Sequence, residues 1–207
     1  MPFNIIDLGQ CDYLKSLEFQ EDILGKVFAG KLSDSIIFVE HKHVYTVGKN
    51  ANHDNILDLP HKNIKIIDID RGGDVTYHGS GQLIGYPIIK LSNYKIGIKR
   101  YVHLVEQILI EVLTHFGISA HAKPKYIGVW VGSEKIAAIG VRVQKGLTKH
   151  GFALNVNTDL SYFENIIPCG IENCKMTSVE ILLNEKVDLK MVQNIFIKSF
   201  NQHFDKL

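Results

Sequence analysis

The sequence predicts an α+β domain, and three observations carry the prediction. Apolar residues recur at helical spacing in three separated places, the chain between them breaks into short β-branched segments, and those segments follow one another without a helix between each pair. Helices packed on a mixed sheet are therefore expected, in one domain over residues 1–207.

The first helix is expected over residues 12–28, where Leu14, Leu17, Leu24, Val27 and Phe28 recur at helical spacing. Asp12 can cap its start and Gly30 can stop it. Residues 35–40 (SIIFVE), 43–47 (HVYTV) and 64–70 (IKIIDID) are short, β-branched and bounded by polar residues or glycine, as strands are. A second helix over 98–116 presents Ile98, Tyr101, Val102, Val105, Leu109, Val112 and Phe116 on one face and ends at Gly117. Residues 127–131, 135–143 and 147–156 read as a meander of hairpins with Gly132 and Gly146 in the turns. Asp188 can cap a last helix over 188–204, with Leu189, Val192, Ile195, Phe196 and Phe200 on its face.

Charge and composition narrow the function. With 23 Lys+Arg against 22 Asp+Glu the net charge is +1, which argues against a dedicated nucleic-acid binder. No apolar run reaches the roughly 18 residues of a membrane span, and the start, MPFNIIDLGQ, lacks the basic and then apolar pattern of a signal peptide. No membrane association and a cytoplasmic location are expected. Cys11, Cys169 and Cys174 are too few and unpaired in number for a disulfide framework, so free thiols are expected. The spacing of Cys169 to Cys174, with only distant histidines, does not supply a zinc ligand set, and no metal is expected.

Ten of the 17 glycines fall in two windows, 72–85 and 128–151, which marks backbone that something approaches closely. The first window lies in RGGDVTYHGSGQLIGYPI from Arg71 to Ile88, a polar strip with Arg71, Thr76, Tyr77, His78 and Gln82 among the glycines. It reads as a glycine-rich hairpin with a hydrogen-bonded histidine or as a substrate contact, since glycines also serve turns. A dinucleotide-binding loop is excluded, because GxGxxG is absent. KIAAIGVR opens a strand with Lys135 directly after a turn, and HGFALNV starts at His150. In PCGI, Cys169 stands between turn residues, a setting that favours an exposed and reactive thiol if a cation lies near. Cys11 and Cys174 lack that setting and read as structural.

These motifs, with EHKHVYTVGK before them and Met176-Thr177-Ser178-Val179 after PCGI, occur in the order and spacing of the lipoyl(octanoyl) transferases, and the sequence resembles that family over essentially its whole length. Ser80 departs from the proline common in the family's HGPGQ, which bears on the stiffness of that turn and not on the chemistry. The resemblance implies a fold of the lipoate/biotin protein ligase catalytic type. It implies transfer of an octanoyl group from octanoyl-acyl carrier protein, through a cysteine thioester, to the lysine amine of lipoyl domains in 2-oxoacid dehydrogenase E2 subunits and the glycine cleavage H protein. The nucleophile maps onto Cys169 and its partner onto Lys135.

An ammonium beside a thiol, whose ordinary pKa is about 8.5, favours the thiolate. Thioester exchange followed by amide formation runs downhill without ATP, so no cofactor is implied beyond the phosphopantetheine that carries the donor. Substrate contacts map onto Arg71, Gly72, Gly73, Asp74, Val75, Thr76, Tyr77 and His78, onto Ala138, Ile139 and Gly140, and onto Gly151, Phe152 and Ala153. Backbone N–H groups among them can cradle the thioester oxygen. Burying the octanoyl tail is worth roughly 5 kcal/mol at about 0.8 kcal/mol per methylene, hence about fourfold selection per carbon. His78 and His150 read as orienting groups or as buried hydrogen-bonded rings. An ATP-dependent lipoate ligase of the same fold would not need Cys169, and in a noncatalytic acyl-binding module that cysteine would be inert.

Overall fold

A computed structural model describes residues 3–57 and 64–207. Its frame is a seven-stranded mixed sheet with helices on both faces, beside a smaller three-stranded sheet. β1 (Asn4–Cys11) leads through α1 (Tyr13–Phe28) to β2 (Ser35–His41), which lies parallel to β1. The chain then leaves for β3 (Val44–Val47), β4 (Lys65–Asp68) and β5 (Thr76–His78), which form the small sheet in the order β4-β3-β5. It returns to the large sheet as β6 (Gln82–Ile88). After α2 (Ile98–His115) come β7 (His121–Lys123), β8 (Tyr126–Val131), β9 (Glu134–Gln144) and β10 (Leu147–Asn155), an antiparallel meander. α3 (Val179–Leu183) and α4 (Leu189–Phe204) complete the fold, and the large sheet runs β1-β2-β6-β10-β9-β8-β7.

Strand alternation divides the core in two. On β2, Ile36 and Phe38 face α2 and α4, while Ile37 and Val39 face Ile23, Leu24 and Val27 of α1. Phe196 of α4 joins the first core edge-on to Phe38 at 5.7 Å between ring centres and lies 4.5 Å from Phe152 of β10. Fully burying such rings supplies about 1.5–3 kcal/mol each, which fixes α4 on the sheet.

The three long helices lie where the spacing places them, and Asp12 and Asp188 cap α1 and α4 by accepting from Leu14 N–H and Lys190 N–H. Four details differ. β1 was not anticipated: it is an edge strand of half-buried alternation with an irregularity between Asp7 and Gln10, and with α1 and β2 it makes one βαβ unit. β7 is only three residues long and carries no period. The face of α1 is rotated, leaving Leu14 and Phe28 exposed and burying Ser16 and Gln20, where Ser16 Oγ donates to Tyr13 O and Gln20 Oε1 accepts from His150 N–H. Finally, residues 71–88 do not form a hairpin: β5 and β6 are consecutive in the chain but belong to different sheets, and the Gly79-Ser80-Gly81 turn crosses between them.

Candidate active site

The crossing from one sheet to the other opens a cavity of about 1020 Å³ between β5, β9, β10 and the start of α2. Cys169 stands at its wall in a single helical turn, Pro168–Gly170. Its backbone is left-handed (φ 59°, ψ 20°), and its N–H donates to the carbonyl of Val75 at 3.0 Å.

Lys135 is the second residue of β9 and is buried, with 1% exposure. Its backbone is clamped on the side away from β8, where its N–H donates to Lys175 O at 2.8 Å and its carbonyl accepts from Thr177 N–H at 2.9 Å. That bracing by the segment after PCGI brings the turn and the strand together, and Lys135 Nζ donates to Cys169 Sγ at 3.1 Å. Two residues 34 apart in sequence thus form a contact pair with the lysine withdrawn from water.

Arg71 supplies a second buried cation. Its Nη2 donates to Thr46 O at 2.7 Å and Thr46 Oγ1 at 3.0 Å, and its Nη1 donates to Gly72 O at 3.0 Å. Burial pushes the guanidinium down from its ordinary pKa, and the nearby Cys169 thiol opposes this most strongly among its neighbours.

Burial also holds three histidines neutral. His78 is pushed down to about 3, with its Nδ1 2.9 Å from Gln82 Oε1. Because Gln82 Nε2 donates to Asn155 Oδ1 at 2.9 Å, the amide oxygen faces His78, so Nδ1 carries the proton. His41, behind it, is pushed down to about 4 and pairs with Cys11 O and the Tyr86 hydroxyl. His150 is pushed down to about 4 by burial, opposed by Asp70 Oδ1 at 2.6 Å from its Nε2. Burial raises the Asp70 carboxyl, but the hydrogen bond to His150 and the Lys149 ammonium outweigh it and hold it below the usual carboxylate range.

Most expected substrate contacts meet at this cavity. Arg71, Gly72, Gly73, Asp74, Thr76 and His78 line it from the first window, Ala138, Ile139 and Gly140 from β9, and His150, Gly151, Phe152 and Ala153 from β10. Val75 and Tyr77 do not. Both are fully buried in the core beneath the small sheet with Tyr45 and Phe163, because alternation along this extended segment sends Thr76 and His78 to the cavity and their neighbours to the opposite side. Val75 meets the site through its backbone, its carbonyl accepting from Cys169 N–H and its N–H donating to Asp74 Oδ1 at 2.6 Å.

Sequence reasoning missed that Ile98 and Val102 of α2, with Ala122 and Ile127, line the cavity, beside the charged Lys99, Lys123 and Lys125. Ile98 was read as core but is 39% exposed, and Ile127 is 57% exposed. Apolar side chains at a helix start and a strand start, facing one opening, suit a hydrocarbon tail. Tyr13, Tyr86 and Glu106 also line the cavity, and Asp70 supports it from behind. Of these only Tyr86 stands in a glycine-rich strip. Of the other thiols, Cys11 ends β1, and burial pushes the half-buried Cys174 thiol up.

Comparison with known proteins shows the family. The family model described as the lipoyl protein ligase A/B catalytic domain matches residues 12–201. An octanoyltransferase of Alkaliphilus metalliredigens is 41% identical over 210 residues, covering 99% of this chain and 96% of its own. One from Solibacter usitatus is 44% identical over 202 residues, covering 96% and 91%. Among solved structures, a bi-partite lipoate protein ligase from Thermoplasma acidophilum superposes with a TM-score of 0.79 at 17% identity, covering 99% of this chain and 84% of that one. A biotin protein ligase from Aquifex aeolicus gives 0.60 at 14% identity, covering 100% and 70%. These two share the fold. The chain belongs to the lipoyl protein ligase A/B catalytic domain family and, within it, to the octanoyltransferases.

Proposed function

We propose that residues 1–207 form one cytoplasmic catalytic domain that moves an octanoyl group from octanoyl-acyl carrier protein to the lysine amine of a lipoyl domain, with Cys169 as the acyl carrier. The acceptors are the lipoyl domains of 2-oxoacid dehydrogenase E2 subunits and the glycine cleavage H protein. The observation that carries this reading is the 3.1 Å contact between Lys135 Nζ and Cys169 Sγ at the wall of a cavity that apolar side chains partly line.

In the first half-reaction the Cys169 sulfur attacks the donor carbonyl. A new C–S bond forms, the bond to phosphopantetheine breaks, and the leaving thiolate takes a proton from Lys135. In the second, the amine of the acceptor lysine attacks the thioester. A C–N bond forms, the C–S bond to Cys169 breaks, and Lys135, now neutral, receives the amine proton. One thioester is exchanged for another and then for a more stable amide, so neither ATP nor a bound cofactor is needed. Arg71 and the neutral His78 and His150 hold the walls around the carbonyl. No described helix is long and apolar enough to cross a membrane.

Mass spectrometry after mixing with octanoyl-acyl carrier protein tests the reading. One added octanoyl group on the Cys169 peptide, discharged on adding a lipoyl domain, is expected. An unmodified cysteine with unchanged donor excludes the acyl-enzyme, and adenylate formation from free octanoate and ATP would favour a ligase.

A further inference from the structure

A lysine side chain has four rotatable bonds, and ordering it costs up to about 2 kcal/mol, so something must aim Lys135. One device is a β-bulge. Val129 faces Ala137 but Trp130 faces Lys135, so Ile136 is an extra residue on β9, and such bulges redirect the neighbouring side chains. The second is Gly128. A Cβ there would stand 2.6 Å from Lys135 Cε and 3.2 Å from its Nζ, so bare backbone forms a wall along which the lysine lies.

Gly128 lies where strand pairing is irregular on both sides: the β7 ladder shifts between Ala122 and Lys123, and the β9 ladder shifts at Val129. Its N–H is instead taken by a side chain, donating to Glu106 Oε1 at 3.1 Å. Glu106 sits on the otherwise apolar buried face of α2, 8% exposed and lining the same cavity, with its other oxygen 3.6 Å from His103 Nδ1. Burying a carboxylate is costly unless it is hydrogen-bonded, and an apolar residue there would pack on α2 without that cost.

We propose that Glu106 is a positioning residue for Lys135: its carboxylate anchors the Gly128 amide, which holds the wall against the lysine shaft and keeps the ammonium on Cys169. The inference rests on reading Cys169 and Lys135 as the reacting pair.

Its test uses a probe that needs no acyl donor, the rate of Cys169 alkylation by iodoacetamide at neutral pH, followed by peptide mapping so that Cys11 and Cys174 are scored separately. Glu106→Gln keeps the length and an acceptor oxygen but loses the charge, whereas Glu106→Asp keeps the charge and is one methylene short. Cys169 alkylation is expected to fall about tenfold in the aspartate variant, as a thiolate loses its cation, and to stay within about twofold of the parent in the glutamine variant. Octanoylation of Cys169 should follow the same order. A parent-like rate in the aspartate variant, or a loss in the glutamine variant, overturns the proposal. If the parent protein is alkylated rapidly but takes no octanoyl group, the acyl-transfer reading fails and the positioning result still stands.

Discussion

The carbonyl of Val75 accepts the N–H of Cys169 at 3.0 Å, tying a left-handed cysteine to the end of the small sheet. A non-glycine residue in that conformation costs about 1–2 kcal/mol and persists only where its surroundings hold it. The Cα–Cβ direction of Cys169 is thus set by backbone bonds that do not involve the thiol. Cys169→Ser should therefore leave the folding free energy within about 0.5 kcal/mol of the parent. Transfer to a lipoyl domain should fall at least about 10³-fold, because an alcohol at this position lacks the thiol's acidity and nucleophilicity. Turnover and thermal unfolding measured on the same preparation check both halves, and comparable turnover would remove the covalent step.

Acid should destabilise the fold well before carboxylates are fully protonated. His41, His78 and His150 have pKa values pushed by burial from 6.5 to about 4, 3 and 4. Above pH 6.5 all three rings are neutral folded and unfolded, and they contribute nothing. Below it the unfolded chain binds protons that the folded chain refuses, so stability declines with pH until the folded values are reached. At pH 5 this amounts to about 2 kcal/mol per histidine. Asp70, held below its ordinary value, adds to the loss at lower pH, as its stabilisation disappears when pH falls through the folded value. Urea unfolding at neutral pH and at pH 5 measures the decline. His41→Gln, which stays neutral, should remove roughly one proton's share of the slope; an unchanged slope would mean that His41 does not titrate on unfolding.

What the sequence made legible were features whose cause is local. Asp12 and Asp188 cap helices because their carboxylates reach an N–H two residues on. The meander and the places of the three long helices follow from spacing. The Cys169 and Lys135 pair came from the resemblance, since no period links residues 34 apart. The illegible features were set by distant partners. Gln20 looks solvated on α1 until His150 N–H is found donating to its side-chain oxygen across 130 residues. Glu106 looks like an exposed helix residue until Gly128 is placed over it. The division of residues 71–88 between two sheets depends on which strands β5 and β6 pair with, β3 in one case and β2 and β10 in the other.

The loop after Arg71 is held by close contact with β9. A Cβ on Gly140 would stand 2.9 Å from Arg71 Cδ and 3.0 Å from Gly72 O, so Gly140→Ala must displace one or both. Arg71 is tied to Thr46, and Gly72 N–H donates to Val141 O at 3.1 Å, so neither neighbour yields freely. Crowding of this kind costs about 1–3 kcal/mol. Because it acts on the cavity wall and not on Lys135, KM for octanoyl-acyl carrier protein should rise about tenfold with a smaller change in kcat. Steady-state kinetics decide the matter, and a fall confined to kcat would instead place Arg71 at the reacting bond.

Lys135→Arg separates the two roles assigned to this lysine. Arginine keeps the positive charge but cannot readily give up its proton. If the charge alone matters, the variant should still accept an octanoyl group on Cys169. If Lys135 also receives the proton of the incoming amine, the acyl-enzyme should form and then persist, with transfer to a lipoyl domain slowed at least about 10²-fold, the size of a lost general base. The geometry also supplies a competing effect. Lys135 is 1% exposed and its shaft runs against the Gly128 backbone, so the larger guanidinium has little room and can displace Cys169 or fill the acyl site. The half-reactions distinguish these causes because crowding acts on both, whereas the phosphopantetheine thiolate can leave and take its proton from water when arginine withholds one, so that a missing proton acceptor acts on the second. Single-turnover acylation followed by intact-protein mass spectrometry gives the first rate, and discharge of the isolated octanoyl-enzyme by a lipoyl domain gives the second. Equal slowing of the two points to crowding, and an unimpaired discharge removes the base role while leaving Lys135 as the cation beside the thiolate.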